Sequence, residues 1–301
     1  MASAVDQLPD RPESAQSGVT ASWVVIAWVA ALAVLAYLPV IRYLSQQWMA
    51  DDDMGHGFFV PVVAGYIAWS RRNDLAKAQI RPNYWGLAVI AWGAIQLLLG
   101  TVGAELFLQR TALVITIAGC ILLAWGPGVL KIMAFPVCLL LFMIPIPRVI
   151  YTQITFPLQL LASRVAEFLL SLIGIPVLRD GNILELASQK LSVVEACSGI
   201  RSLLSLSFLS LVYAFFFDRK PWMRWALLVL TVPIAITANA GRVTITGILS
   251  EVKPDLAQGF SHEIEGWIIF IAALAMLMVA HRLLNLVYSV LHGHSKHSQT
   301  P

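Results

Sequence analysis

Residues 225–242 read WALLVLTVPIAITANAGR. Apart from two threonines and one asparagine the stretch is apolar or small until it reaches Arg242. A helix crossing the hydrocarbon core of a bilayer, about 30 Å thick, needs about 20 mostly apolar residues at 1.5 Å rise each. This stretch is therefore read as a transmembrane helix, with Arg242 about 26 Å from its start at Trp225. A guanidinium inside a span is expensive, so Arg242 is a functional candidate by default. Asn239, one turn earlier, belongs to the same polar patch.

The same apolar pattern recurs along all 301 residues, of which 58% are hydrophobic and 12% charged. A soluble domain is closer to about 25% charged. Disorder, a coiled coil and most soluble enzymes are thereby excluded, and the fold class is an all-α polytopic membrane protein. A first span is expected over Val19–Ile41, and others start near His56, Tyr84, Thr111, Val129, Ser198, Trp225 and Ile264, eight in all. The first is too long for a signal-peptide core, and Asp6, Asp10 and Glu13 before it make a poor basic leader. Residues 1–18 are read as a disordered cytoplasmic N-terminus, 19–286 as the transmembrane domain, and 287–301 as a polar cytoplasmic tail. His292, His294 and His297 belong to that tail. The net charge of +3 gives no sign of nucleic-acid binding.

Orientation follows the distribution of Lys and Arg in short loops. Arg71, Arg72, Lys77 and Arg81 follow span two. Arg219, Lys220 and Arg224 separate spans six and seven, and Arg282 and Lys296 follow span eight. Asp51, Asp52 and Asp53, and later Glu251, Asp255 and Glu263, fall on the alternate side. Eight spans satisfy all of these loops, with both termini cytoplasmic. Between spans five and six, Tyr151–Ile173 is apolar at helical spacing but holds Gln153, Arg164 and Glu167. A ninth span would break the charge pattern, so an amphipathic helix in the outer interface is expected here. Asp180-Gly181 with alternating Ile183, Leu184, Glu185 and Leu186 then suits a small β-hairpin.

Three residues far apart in sequence fall at one depth on the outer side: Cys197 at the mouth of span six, Arg242 in span seven, and His262 at the mouth of span eight. A helix N-terminus and nearby cations favour a thiolate at Cys197, and Arg201, one turn on, is such a cation. His262 can serve as base and then acid, and Arg242 can donate to an oxyanion. Together they describe acyl transfer through a thioester. Cys120 and Cys138, among Ile and Leu, are read as packing. An odd cysteine count without CxxC, and no HExxH, imply no metal, and no cofactor is implied. His56 lies on the outer side as well. It is either a second group near the site or a helix-start residue between the flexible Gly55 and Gly57.

Val194-Glu195-Ala196-Cys197-Ser198-Gly199-Ile200-Arg201, Asn239-Ala240-Gly241-Arg242, and Ser261-His262 with Gly266-Trp267 resemble, in order and spacing, three motifs of the exosortase family. Gly55-His56-Gly57 and Pro145–Pro147 are similar to upstream features, although Gly55 stands where many members have Ser. The resemblance runs from about Trp48 to Leu286. It implies a bacterial inner-membrane cysteine protease or transpeptidase with its active site facing the periplasm. Its substrates would be exported proteins ending in a Pro-Glu-Pro tail, a hydrophobic span and a basic cluster, often linked to exopolysaccharide production. Cys197, Arg242 and His262 would be the catalytic set, with Arg201, His56 and Asn239 toward the substrate. The competing reading is a transporter or channel with a polar intramembrane site, which should show a repeat between halves and mid-membrane charges.

Overall fold

The computed structural model describes residues 14–193, 199–218, 220–252 and 260–293. These fall into two units, one comprising residues up to 47 and 60–144, the other 48–59 and 145 onward. Helices α1 (Ser14–Ala50), α2 (Phe59–Ser70), α3 (Arg72–Lys77), α4 (Trp85–Val102), α5 (Leu106–Trp125) and α6 (Pro127–Leu139) precede the long helix α7 (Arg148–Ile173). Three short strands follow, β1 (Val177–Asp180), β2 (Ile183–Leu186) and β3 (Lys190–Ser192). Helices α8 (Gly199–Phe217), α9 (Pro221–Val252) and α10 (Phe260–Gly293) complete the chain, and a 3₁₀ helix covers Asp52–Phe58.

The first unit is built on an α4–α5 hairpin. Gly86, Gly93 and Gly100 repeat every seven residues and are buried on one face of α4. A side chain at Gly93 would meet the Thr116 hydroxyl at 2.3 Å, and one at Gly86 the Leu123 backbone at 2.4 Å. Small residues let two helices approach closely in lipid, where packing replaces the hydrophobic drive. The Tyr37 and Thr116 hydroxyls, 2.8 Å apart, tie α1 to the same hairpin. Helix α5 starts at Leu106, five residues before the expected Thr111, because the Glu105 carboxylate accepts from the Leu108 N–H and caps it.

Five helices among the described residues are long and apolar enough to cross a bilayer: α4, α5, α7, α9 and the Gly266–Leu291 part of α10. Helices α6 and α8 are shorter apolar segments. Helix α2, the expected second span, has 12 residues, about 18 Å of helix, and falls short of the core. Helix α7 was expected to lie in the interface, yet its 26 residues meet the criterion for a span. Glu167 accepts from Arg179 Nε of β1 at 2.7 Å, and Ser163 donates to the Gly181 carbonyl at 3.0 Å. Those polar atoms serve the neighbouring sheet.

That sheet has order β1-β2-β3, all antiparallel, with Asp180 opposite Ile183 and Ile183 opposite Ser192. The expected hairpin is thus present and gains a third strand. Gly181, at the first loop position, has φ +62°, which glycine adopts without strain. Leu184, Leu186, Leu191 and Val193 pack with Leu170 of α7 and Val243 of α9 in one buried cluster. A second cluster joins the last three helices through Leu206, Ala214, Met223, Leu227, Ala273 and Leu277.

At the end of this helix trio away from the sheet, the α8–α9 turn is locked by hydrogen bonds. Asp218 is 8% exposed and His281 7%. Asp218 accepts from the Lys220 N–H at 2.8 Å and from Asn285 Nδ2 at 3.1 Å, and His281 Nε2 lies 3.1 Å away. Lys220 Nζ donates to Asn285 Oδ1, and the Tyr213 hydroxyl meets His281 Nδ1 at 3.0 Å. Burial pushes the Asp218 carboxyl up, but these hydrogen bonds and the Lys220 charge outweigh it and hold it below the ordinary carboxylate value. A carboxyl lowered on folding contributes stability that is present above its unfolded value, about 3.9, and is lost as pH falls through the folded one. Asp218→Asn is therefore expected to lower the melting temperature in detergent at pH 7 by roughly 5 °C. The gap from wild type should narrow as pH falls below about 4. A gap that widens in acid would contradict this assignment.

Candidate functional site

Arg242 lies in α9, three residues after Asn239, so the two share a helix face. Both line a narrow cleft together with Leu206 of α8, Ala235 and Ala238 of α9, and Gly266, Ile269, Phe270 and Ala273 of α10. Its open volume is about 10 Å³, room for about one water. The rest of the wall is apolar, and its polar side chains are those of Arg242 and Asn239. The Arg242 guanidinium lies against α10 at Gly266: a Cβ built there would sit 3.4 Å from Nη2, 3.6 Å from Cζ and 3.8 Å from Nη1. Gly266 is one turn after His262, on the same face of α10. His262 is in the first turn of that helix, and its side chain lies outside what is described.

Cys197 lies outside the described residues. The chain on either side of it is fixed. Val193, four residues before, is fully buried in the cluster that contains Val243, the neighbour of Arg242. Gly199, two residues after, opens α8. Arg201 is in the first turn of α8, with its side chain outside the described part. The connection leading into this region is pinned to the end of α9. The Ser188 N–H and hydroxyl donate to Glu251 at 2.9 and 2.8 Å, and Gln189 Nε2 donates to the Ser250 hydroxyl at 2.7 Å. These anchors escaped sequence reasoning, because Ser188 and Glu251 are 63 residues apart and neither belongs to a motif.

His56 sits in the 3₁₀ helix Asp52–Phe58. Its Nδ1 is 3.3 Å from the Ser205 hydroxyl of α8, and its ring lies 6.4 Å from that of Phe208. Ser205 is one turn beyond Arg201 on α8 and adjacent to Leu206 of the cleft wall. The 3₁₀ helix is held to the chain before it by Trp48, whose indole packs edge-on against Phe58 at 5.1 Å. A side chain at Gly57 would meet that indole at 2.4 Å. His56 is thus held on the helix that follows Cys197. Ser205 was missed, since a serine in an apolar helix gives no signal until its partner is known.

The family model described as transmembrane exosortase (Exosortase_EpsH) matches residues 48–279. The chain belongs to the transmembrane exosortase family. It is accordingly a multi-pass membrane protein, in keeping with its five span-length helices. The match contains all six residues singled out from the sequence: His56, Cys197, Arg201, Asn239, Arg242 and His262. No curated protein and no solved structure matches the chain significantly.

In this exosortase the His56–Ser205 contact can be checked without activity. In a chain with its native cysteines replaced by Ala, His56→Cys/Ser205→Cys is expected to cross-link efficiently with a short bifunctional thiol reagent. Gly55→Cys/Ser205→Cys should cross-link less, because Gly55 has open space around it. Equal yields would contradict the placement of His56 on α8.

Proposed function

We propose that this exosortase is a membrane-embedded cysteine transpeptidase or protease acting on the C-terminal tails of exported proteins. The contact that supports this reading is the seating of Arg242 on Gly266, one turn from His262 on the same helix. The cleft beside Arg242 is bordered by α8, the helix that begins two residues after Cys197. Arg242 thus lies beside the helix whose first turn holds His262 and the helix that starts two residues after Cys197.

In the proposed mechanism, the Cys197 thiol gives its proton to His262, and the thiolate attacks the scissile carbonyl carbon. Negative charge collects on the carbonyl oxygen, where Arg242 donates to it. The C–N bond breaks, the leaving amine takes the proton from His262, and a Cys197 thioester remains. Water or an acceptor amine then attacks the thioester and restores the thiol. Arg201 favours the thiolate from one turn further along α8. Asn239 and His56 face the substrate from α9 and from the 3₁₀ helix.

The substrate reading is a tail with Pro-Glu-Pro, an apolar span and a basic cluster. Such a tail lies in the bilayer and presents its Pro-Glu-Pro at the surface where Arg242 is placed by the loop charges. That surface is the periplasmic face of a bacterial inner membrane, with both termini cytoplasmic, and export of such proteins accompanies exopolysaccharide production. A transport pathway finds less support, since the sequence shows no repeat between its halves.

Cys197→Ala and Cys197→Ser are expected to abolish processing of a tailed substrate on a gel while the protein still accumulates in the membrane. Cys120→Ala and Cys138→Ala should process normally, and an impermeant thiol reagent on the periplasmic side should label Cys197 but neither of those two. Cleavage by Cys197→Ala at the wild-type rate would falsify the catalytic assignment.

The two arginines should also separate. Losing an oxyanion donor costs about 10²–10³ in rate, and a lysine cannot replace the planar fork. Arg242→Lys is expected to be nearly inactive from about pH 6 to 9, whereas Arg201→Lys keeps clear activity that rises with pH. The reverse ranking would exchange their roles.

A further inference from the structure

The contact between Arg242 and Gly266 has an unusual form. For a glycine that lets two helices approach, an added Cβ would first meet the partner's backbone, as Gly86 does against Leu123. At Gly266 the three nearest atoms all belong to one guanidinium. Their distances, 3.4 Å to Nη2, 3.6 Å to Cζ and 3.8 Å to Nη1, are nearly equal. A point at that range in the guanidinium plane beyond its rim would be at least about 0.4 Å farther from Cζ than from the nearer nitrogen, given the C–N bond of about 1.3 Å. The Gly266 position therefore lies over the flat face of the group.

That geometry matters because guanidinium donors all lie in the plane and its faces are weakly hydrated. A surface that covers one face sets the tilt of the plane without competing for a single N–H. The backbone of α10 at Gly266 is such a surface. Only glycine leaves it bare. A methyl group would come into ordinary van der Waals contact, but any atom beyond Cβ on that side would overlap the guanidinium.

We propose that Gly266 is a positioning residue, the seat that fixes the plane of the Arg242 guanidinium so that its rim of N–H donors faces the reacting carbonyl. The proposal rests on the reading of Arg242 as the oxyanion donor. It assigns Gly266 no direct contact with substrate. Its effect grows with the size of the side chain placed there and falls on kcat rather than KM, because the misplaced donor acts in the transition state. A displacement of about 1 Å at such a donor costs about 10²-fold.

The test uses the full chain, purified in detergent, with an exported protein carrying the Pro-Glu-Pro tail. Gly266→Ala should process within about threefold of wild type, and Gly266→Val and Gly266→Leu should lose about 10²-fold in kcat with KM little changed. Gly65→Leu, at an exposed glycine of α2 with nothing within 4 Å, should be unaffected. A second arm adds guanidinium chloride to Arg242→Ala. Free guanidinium should restore part of the lost rate with Gly266 in place and none in Arg242→Ala/Gly266→Leu. Should Gly266→Leu fail to accumulate, Gly266→Val carries both arms. The seat is overturned by wild-type kcat in the Val or Leu variant, by a loss confined to KM, or by guanidinium failing to distinguish the two backgrounds. A Cys197→Ala control run in parallel separates this from the functional reading. Processing without Cys197 removes the mechanism, whereas a Cys197-dependent enzyme indifferent to residue 266 removes only the seat.

Discussion

Helix α9 packs against α7, α8 and α10, and lipid offers no hydrogen bonds to the polar groups along its 32 residues. Many of them are met by protein. Ser250 and Glu251, at the sheet end, take Gln189 and Ser188. Thr231, near the middle, lies 3.2 Å from the Ser207 hydroxyl of α8. Arg242 lays its guanidinium on the bare backbone of α10. Packing around these groups organises the second unit, and the demand is greatest at the candidate site, because a guanidinium is the costliest of them to bury.

The two ends of the α8–α10 trio divide the work. The Asp218, His281, Asn285 and Lys220 network clamps the end where α8 turns into α9. At the other end the three-stranded sheet packs on α7 and meets α9 through Val193 and Val243 in one buried cluster. Clamping both ends holds the helix mouths in register, which is what a site assembled from separate helices requires. Positioning within fractions of an ångström is worth several orders of magnitude in rate, and rigid helices hold it better than loops do.

Much of this was legible in the sequence because the membrane imposes a simple grammar. Apolar runs marked α4, α9 and α10 to within a few residues, and the lone charge in residues 225–242 singled out Arg242. Asp180-Gly181 announced the β1–β2 turn. The reading was incomplete where one local pattern admits two physical causes. Arg164 and Glu167 gave α7 an amphipathic pattern, yet the helix is also long and apolar enough to cross a bilayer, and Glu167 pairs with Arg179 of β1. The span expected at His56 dissolved into a 3₁₀ helix and the 12-residue α2. Long-range partners such as Ser188 with Glu251, or His56 with Ser205, carry no periodic signature. Gly266 stood in a motif, but its part as a floor for Arg242 emerges only when the two helices are set side by side.

The central claim is that Cys197 forms a thioester with the processed protein. The direct measurement is the mass of the purified chain after brief mixing with an excess of tailed substrate and quenching in acid. The thioester mechanism predicts a covalent adduct with the mass of the amino-terminal fragment, located on the peptide containing Cys197 and released by neutral hydroxylamine. Processing that proceeds with no adduct, or with an adduct on Cys120 or Cys138, would contradict it.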